Sequence, residues 1–492
     1  MTEQTPRNTR SKQWRWPLSP ETVRAVLSSH SVLGLAFAAV IYLVCLTGTL
    51  VVFSPDLQHW EVPQAPVVPS LSDRAAGRAV LLAERQAAPD ATLSLSLPGP
   101  ARAGATLMAY GNKRAEQTWA VAPDGALVPM DAPWTEFLLH LHVNLHLPRS
   151  WGGFIVGLTG VALLSSLVSG ILAHPRVVRD AFHLRLGGSR RLQEADLHNR
   201  LGVWALPFHF TLALTGALLG LSTLIVAALA LLLYRGDTQK VYGLFIDPPP
   251  PADARAVPMP DIAALLVIAR ARTPEAAPQT VSIARHGRAD MRITINSARP
   301  RLLVPQDEVQ FDAHGTVLAE EHPADLALGT KVLGGIGQVH FGWFGGAAVR
   351  VAYGLLGLAL CVVTSSGVTI WLARRRDRGR AAPQWERIWA AVCWGQPLVL
   401  MITAMIAMVA PRAPLPITWL VLTIAIVAGA ALVRIDGARL AVGLRRALGA
   451  GLVALGLVHA ATVGLGPIDG VLCLGGAALL ALTWPVARRS TA

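Results

Sequence analysis

DLHNRLGVWALPFHFTLALTG, residues Asp196–Gly216, is the stretch that decides the fold of this chain. It is apolar enough for a lipid bilayer, yet it contains His198 and His209. In one continuous helix each residue rotates by about 100°, so both imidazoles would point the same way, about 16 Å apart along the axis. Ionisable residues are costly inside a membrane, and they usually mark a functional site.

The stretch has a counterpart near the N-terminus. SHSVLGLAFAAVIYLVCLTG, residues Ser29–Gly48, repeats its frame, with His30 in the place of His198. A Leu-Gly pair and a Thr-Gly pair recur at the same spacing in both stretches. Two similar helices, each with a histidine at the same depth, predict a ligand held between them.

The composition is that of a polytopic membrane protein. The 492 residues are 53% hydrophobic and 15% charged, with a mean hydropathy of +0.46, which is too apolar for an ordinary soluble protein. The net charge of +13 comes largely from arginines at the ends of apolar segments, so it indicates orientation in a membrane and not nucleic-acid binding. The four cysteines form no CxxC pair, which argues against zinc ribbons and excludes covalent c-type haem.

Two similar units and a C-terminal extension organise the chain. The regions are a basic arm (1–18), a first unit (19–190), a second unit (191–380) and a segment of four further spans (385–492). Each unit consists of a span, a polar module and a second span, with the modules at 54–151 and 235–338. Each module shows a helix pattern and alternating strand patterns that end in a hairpin, which predicts a small α+β unit.

The predicted fold class is a polytopic α-helical membrane protein with about eight transmembrane helices and two outward-facing α+β modules. The first span is expected at about 31–53 and the third at about 201–234. A parallel internal repeat usually creates a pseudo-two-fold axis along the membrane normal, with a shared site on it. Arginine and lysine cluster before the first span and after the even-numbered spans, so both termini are expected in the cytoplasm.

The histidines of the first four spans fall at two depths. His30 and His198 are near the cytoplasmic ends, whereas His142, His146 and His340 are near the outer ends. Imidazoles from two neighbouring helices at equal depth can ligate a haem iron from both faces, as in b-type cytochromes. The pattern therefore predicts two haems, one between His30 and His198 and one between His142 (or His146) and His340.

Other uses of these residues stay open. His142 and His146 are four residues apart, so on one helix face they would also suit a transition-metal ion. His174 competes as an inner ligand, and His209 is expected at an intermediate position or at a haem edge. Four glycines of the repeated helices would let a flat macrocycle approach the backbone, or would only permit close helix packing: Gly34, Gly48, Gly202 and Gly216.

The remaining histidines are assigned structural places. His286, His314 and His322 belong to the second module and are expected at its surface. His459 stands alone on an apolar C-terminal segment, where a histidine is more often hydrogen-bonded structure than a ligand.

Together these features make the chain resemble the PepSY-associated transmembrane family over about residues 20–376. The motifs that carry the resemblance are His30 with Leu33-Gly34 and Thr47-Gly48, LHVNLHLPRSWG at 141–152, HPRVVRDAFHLR at 174–185, DLHNRLGVWALPFHF at 196–210 and VHFGWFGG at 339–346. The best understood members resemble bacterial inner-membrane reductases of iron–siderophore complexes, with b-type haems and periplasmic PepSY modules. The resemblance implies that His30, His142, His198 and His340 are axial haem ligands. His146 departs from the usual pattern and keeps the choice between His142 and His146 open.

The leading functional hypothesis is a di-haem b-type reductase in the inner membrane. Electrons from a quinol or a cytoplasmic reductase would cross the membrane and reduce Fe(III) held by a siderophore, which releases Fe(II) because Fe(II) binds hard oxygen ligands less well. The donor is expected outside the chain, since no GxGxxG or flavin motif is present. The alternatives are a non-enzymatic protein whose modules bind or regulate a periplasmic partner, and a transporter, which would need polar or broken-helix centres that this sequence is not expected to contain. No catalytic residue is assigned.

Overall fold

The structure is a computed structural model that describes residues 18–99, 104–111, 116–174, 190–244, 250–299, 302–303 and 306–483. It is a mostly helical, multi-pass membrane protein with one antiparallel sheet. Within these residues, six helices are long and apolar enough to cross a bilayer, and there are seven such spans if one bent pair of helices is counted as a single span. The predicted N-terminal arm and most of the basic loop after the second span lie outside the described residues.

Seventeen α-helices follow one another along the described chain. The helices before residue 190 are α1 (Pro20–Val51), α2 (Ser54–Glu61), α3 (Asp73–Gln86), α4 (Pro133–Asn144) and α5 (Arg149–Leu172). The next are α6 (Arg190–Trp204), α7 (Leu206–Gly220), α8 (Ser222–Tyr234), α9 (Thr238–Tyr242), α10 (Ile262–Arg272), α11 (Leu328–Phe341) and α12 (Gly346–Asp377). The last are α13 (Pro383–Ala390), α14 (Gln396–Val409), α15 (Leu415–Leu432), α16 (Gly437–Val463) and α17 (Pro467–Thr483), with a π-helical turn, Ala391–Gly395, between α13 and α14.

The helix of the first span begins at Pro20, before the expected start of the span at about residue 31. Pro20 occupies the first turn of α1, and the Ser19 hydroxyl accepts a hydrogen bond from the Thr22 amide at 3.2 Å. Proline suits this place because the first helical N–H groups have no partner within the helix. The cap therefore sets where the chain enters the 32-residue helix that contains His30.

A single eight-stranded antiparallel sheet contains the strands of both modules. The strands are β1 (Thr92–Ser96), β2 (Thr106–Tyr110), β3 (Gln117–Val121), β4 (Leu127–Pro129), β5 (Ala277–Ala284), β6 (Arg292–Ala298), β7 (Asp307–Phe311) and β8 (Val317–Glu321). Their order is β4-β3-β2-β1-β5-β6-β7-β8, so β1 and β5 pair at the centre. Leu93 and Leu95 on β1 face Ile283 and Val281 on β5, and all four are buried beneath α3 and α10. Pairing of β1 with β5 removes an edge that each module alone would expose.

The third span is broken, contrary to the prediction. α6 and α7 meet at Ala205 with a bend of 70°. Pro207 lies in the first turn of α7, where proline is tolerated. It prevents α6 from continuing into α7, because proline has no N–H to donate to the carbonyl four residues before it and its ring would clash with that carbonyl. The expected single helix with His198 and His209 on one face is therefore wrong. The expectation that the chain has no broken helix is also wrong.

Glycines bring the broken span against the second span. A Cβ added at Gly157 of α5 would lie 2.9 Å from the carbonyl carbon of Gly220, and one at Gly160 would lie 2.9 Å from the amide of Ala217 on α7. Helices in a bilayer associate mainly by such close packing of small residues. This contact joins the first unit to the second inside the membrane region.

Buried polar contacts hold the second module. Arg299 donates to both carboxylate oxygens of Asp307 at 2.6 and 2.8 Å, and His322 Nδ1 lies 2.7 Å from Asp307 Oδ1. His286 is buried and its Nε2–H donates to the Ala88 carbonyl at 3.0 Å. The surface prediction for the three module histidines is therefore wrong for buried His286, whereas His322 is half-buried and His314 is exposed.

The ionisation of Asp307 leads to a prediction for the stability of the sheet at low pH. Hydrogen bonds from Arg299 hold the pKa of Asp307 below its ordinary value, so its stabilising effect is complete above about pH 3.9 and is lost as the pH falls through the lower folded pKa. Asp307→Asn should lower hydrogen-exchange protection of β6 and β7 at neutral pH and flatten the acid dependence of that protection. Glu275→Gln is the matched control, because Glu275 also pairs with Arg299 at 2.7 Å but is 75% exposed. Equal effects of both variants would contradict the assignment.

Candidate functional site

The structure brings His142 and His340 together at the end of the spans where the sheet lies. Each is in the last turn of a short helix, α4 and α11, and their ring centroids are 6.3 Å apart with 24° between the ring planes. Both helices end directly afterwards at a left-handed residue, Leu145 (φ 55°) and Gly342 (φ 68°). We call His142 and His340 the module-end pair.

His142 is held against α1. Its Nδ1–H donates to the Val44 carbonyl at 3.0 Å, with the Thr47 hydroxyl at 3.4 Å. The ring lies directly over Gly48, where an added Cβ would be 2.7 Å from the imidazole Cε1. Because a carbonyl oxygen only accepts hydrogen bonds, Nδ1 carries the proton and Nε2 has the free lone pair.

His340 is held against α7 in a similar way. Its Nδ1 is 2.9 Å from the Thr215 hydroxyl, which donates its own hydrogen to the Thr211 carbonyl at 2.7 Å. The hydroxyl oxygen therefore accepts from Nδ1–H, and Nε2 again has the free lone pair. A Cβ added at Gly216 would be 3.0 Å from the imidazole Cε1 of His340.

His30, at the opposite end of the spans, is held against α5. Its Nδ1–H donates to the Ser166 carbonyl at 2.9 Å, with the Ser169 hydroxyl at 3.3 Å. A Cβ added at Gly170 would be 3.2 Å from the imidazole Cε1. The ring thus contacts the helix backbone where the glycine leaves room for it.

His198 repeats this arrangement on α12. Its Nδ1–H donates to the Val363 carbonyl at 2.9 Å, and the Ser366 hydroxyl is 3.1 Å away. A Cβ added at Gly367 would be 3.3 Å from the imidazole Cε1. His198 thus occupies in the second unit the place that His30 occupies in the first. We call His30 and His198 the loop-end pair.

The four histidines share one kind of contact, which we call an imidazole seat: a glycine under the ring and a serine or threonine directly before it. The seats are Thr47-Gly48, Ser169-Gly170, Thr215-Gly216 and Ser366-Gly367. Sequence reasoning singled out Gly48 and Gly216 for the approach of a macrocycle or for close helix packing, whereas in the structure imidazole rings lie over them. It missed the other two seats, which the Ser-Gly pairs of the second and fourth spans signal. Gly34 and Gly202 have no atom within 4 Å of an added Cβ.

The donor set of the two pairs fits a haem iron. Among the described residues, no Nε2 of the four histidines makes a hydrogen bond, and each Nδ1–H has a fixed acceptor, which is the usual second contact of a metal-binding histidine. Imidazole nitrogens bind metals at about 2.0–2.1 Å, so the 6.3 Å between the module-end centroids has room for one metal ion. Within the described chain, no three metal-binding side chains converge. A bare ion would find too few protein ligands here, whereas a porphyrin supplies four nitrogens of its own.

His146 does not share the site of His142. It lies beyond the end of α4 at φ 55°, and its Nε2–H donates to the Phe137 carbonyl at 2.9 Å. The imidazole stacks on the Phe137 ring with centroids 5.0 Å apart. The prediction that His142 and His146 share one helix face is therefore wrong, and the geometry favours His142 as the partner of His340.

His209 and His174 differ from the four seated histidines. His209 is fully buried, and its Nε2–H donates to the Leu356 carbonyl on α12 at 3.1 Å, so its Nε2 is not free. Its Nδ1 has no hydrogen-bond partner among the described residues. His174 lies just after α5, and the loop that follows it, 175–189, is outside the described residues. The structure thus places neither of them in a facing pair.

Comparison with known proteins covers the part of the chain that holds both pairs. A family model described as the PepSY-associated TM region matches residues 27–374. The chain is also 30% identical over 383 residues to an uncharacterised protein of Pseudomonas aeruginosa, in an alignment that covers 72% of this chain and 96% of the relative. The family match begins within α1 and ends within α12, so it excludes the C-terminal helices α13–α17. The chain therefore belongs to the PepSY-associated transmembrane family.

Proposed function

We propose that the protein is a di-haem b-type reductase of the bacterial inner membrane that passes electrons across the membrane to an Fe(III)–siderophore complex in the periplasm. The observation that carries this proposal is the module-end pair, in which two neutral imidazoles from different units face each other at 6.3 Å with Nδ1–H committed. Such a pair suits an iron that changes oxidation state while its two protein ligands stay in place.

The arrangement of the two pairs supports transfer across the membrane. The loop-end pair lies at the ends of the spans that continue into the basic loops, and the module-end pair lies at the ends that continue into the modules. In the proposed topology, two repeated units and four C-terminal spans place both termini in the cytoplasm and the sheet in the periplasm. The shorter helix α17, with 17 residues, would be the eighth span.

Each seat has two effects on its imidazole. The acceptor at Nδ1 fixes the tautomer with Nε2 unprotonated and raises the basicity of that nitrogen toward a metal. The glycine lets the ring contact the helix backbone, which restricts its rotation. When bound, b-type haem would supply one-electron chemistry between Fe(III) and Fe(II).

The electron balance defines the donor and the acceptor. A quinol releases two electrons and two protons, so its oxidation would reduce two Fe(III)–siderophore complexes to Fe(II). A flavoprotein or another cytoplasmic reductase is the alternative donor, and in either case membrane lipid surrounds the spans. Fe(II) binds the hard oxygen ligands of a siderophore less well than Fe(III), so the iron is released in the periplasm.

A reduced-minus-oxidised visible spectrum of the purified protein tests the proposal. We expect a b-type α-band and about two haems per chain by pyridine haemochrome. His198→Ala should lose one haem, whereas His314→Ala, at an exposed position of the second module, should keep both. Full haem content in both variants would contradict the ligand assignment. Absence of haem after expression with ample supply would favour a non-enzymatic PepSY protein.

The seats predict a second result, which a single added methyl group tests. Gly48→Ala puts a methyl group 2.7 Å from the His142 ring and should displace it, whereas Gly475→Ala, at an exposed position of α17, meets no atom within 4 Å. We expect Gly48→Ala to lower the occupancy or shift the spectrum of one haem only. Gly475→Ala should match the unmodified protein in spectrum and haem content. Identical spectra for both variants would show that Gly48 is not a seat.

A further inference from the structure

The C-terminal helices lie outside the family match, yet they bind the helix that presents His142. Trp134, in the first turn of α4, is buried, and its indole Nε1–H points to the Leu400 carbonyl and the Thr403 hydroxyl on α14, both at 3.2 Å. The contact fixes the start of α4 against the C-terminal helices. His142 follows eight residues later on the same helix, roughly 12 Å along its axis.

A second contact joins the same helices to α2. Trp60 donates its indole N–H to Asp469 Oδ1 on α17 at 2.8 Å, and its backbone carbonyl accepts from His459 Nε2 on α16 at 2.7 Å. The imidazole of His459 also stacks on the indole ring, with centroids 4.5 Å apart. Asp469 is fully buried, and its second oxygen accepts the Gly466 amide at 2.8 Å. His459 is thus a structural histidine with a specific buried partner.

Glu61 connects these two contacts. It is the last residue of α2, next to Trp60, and its carboxylate accepts the backbone amides of Trp134 and Thr135 at 2.8 and 2.7 Å. α4 has no side-chain cap of its own, because Ala132 occupies its N-cap position. The free N–H groups at the start of α4 are therefore satisfied by a residue of another helix.

We propose that α13–α17 act as a clamp that positions His142, through Trp60, Glu61 and Trp134, within the module-end pair. These are positioning residues, since none of them reaches the imidazole itself. Removal of one buried partner leaves its donor or acceptor unsatisfied, which loosens α4 without removing any predicted ligand. The part of the proposal that concerns haem rests on the proposed function, whereas the hold on α4 does not.

Trp134→Phe tests the clamp in the purified full-length protein, with Trp419→Phe as the matched control. Trp419 also donates an indole N–H to α14, to Gln396 Oε1 at 3.1 Å, but from α15 and not from α4. We expect amide hydrogen exchange in α4 to rise about tenfold in Trp134→Phe and to stay unchanged in Trp419→Phe. In a redox titration, the midpoint potential of one haem should shift in Trp134→Phe while that of the other stays constant.

Each outcome decides the proposal. Equal α4 exchange in Trp134→Phe and Trp419→Phe would overturn it. If Trp134→Phe does not fold, the comparison of His459→Ala with His459→Gln decides. His459→Ala should raise α4 exchange, whereas glutamine can still donate to the Trp60 carbonyl and should restore slow α4 exchange. If His459→Ala leaves α4 exchange unchanged, or glutamine restores nothing, the clamp is refuted. A wild-type protein without haem would refute the proposed function, while the exchange measurements would still decide the clamp.

Discussion

The geometry of both histidine pairs depends on the acceptor that each Nδ1–H finds on a neighbouring helix. Three of the four acceptors are carbonyls four residues before a glycine, at Val44, Ser166 and Val363, and the fourth is a threonine hydroxyl. A helix carbonyl has a second lone pair, so it can accept an imidazole N–H without losing its helical hydrogen bond. The bond becomes short only where no Cβ stands under the ring, which explains why a glycine recurs at every seat.

Each seat lies within one unit, whereas each pair spans both units. His142 sits on α1 of its own unit and His340 on α7 of its own, so the seats alone do not bring the two rings together. The units are joined at two levels, by the pairing of β1 with β5 and by the glycine contact between α5 and α7. The seats therefore orient each ring, whereas the distance between the two rings is set by the sheet and by the helix packing that join the units.

The sequence predicted what local patterns and repetition encode. Alternating strands, hairpins and the pairing of His142 or His146 with His340 follow from periodicity and from the matched halves. The break before Pro207 was not predicted, because the apolar composition of the stretch indicates one continuous span although Pro207 has no backbone N–H. The place of His146 depends on two left-handed residues after α4, which no helix pattern reveals. The pairing of β1 with β5 joins segments that are far apart in the sequence. The strand pattern of neither module indicates that its sheet continues into the other.

The two helices that present the module-end pair, α4 and α11, are packed unequally against the rest of the protein. α4 buries Trp134, Phe137, Leu138 and Leu141, whereas α11 has no buried residue in the described chain. Both helices begin without a side-chain cap of their own, and among the described residues only α4 receives one from another helix, through Glu61. The freedom of the pair therefore resides in α11. Glu61 and Trp134 therefore hold the His142 side of the pair through α4, whereas His340 is oriented by its seat on α7.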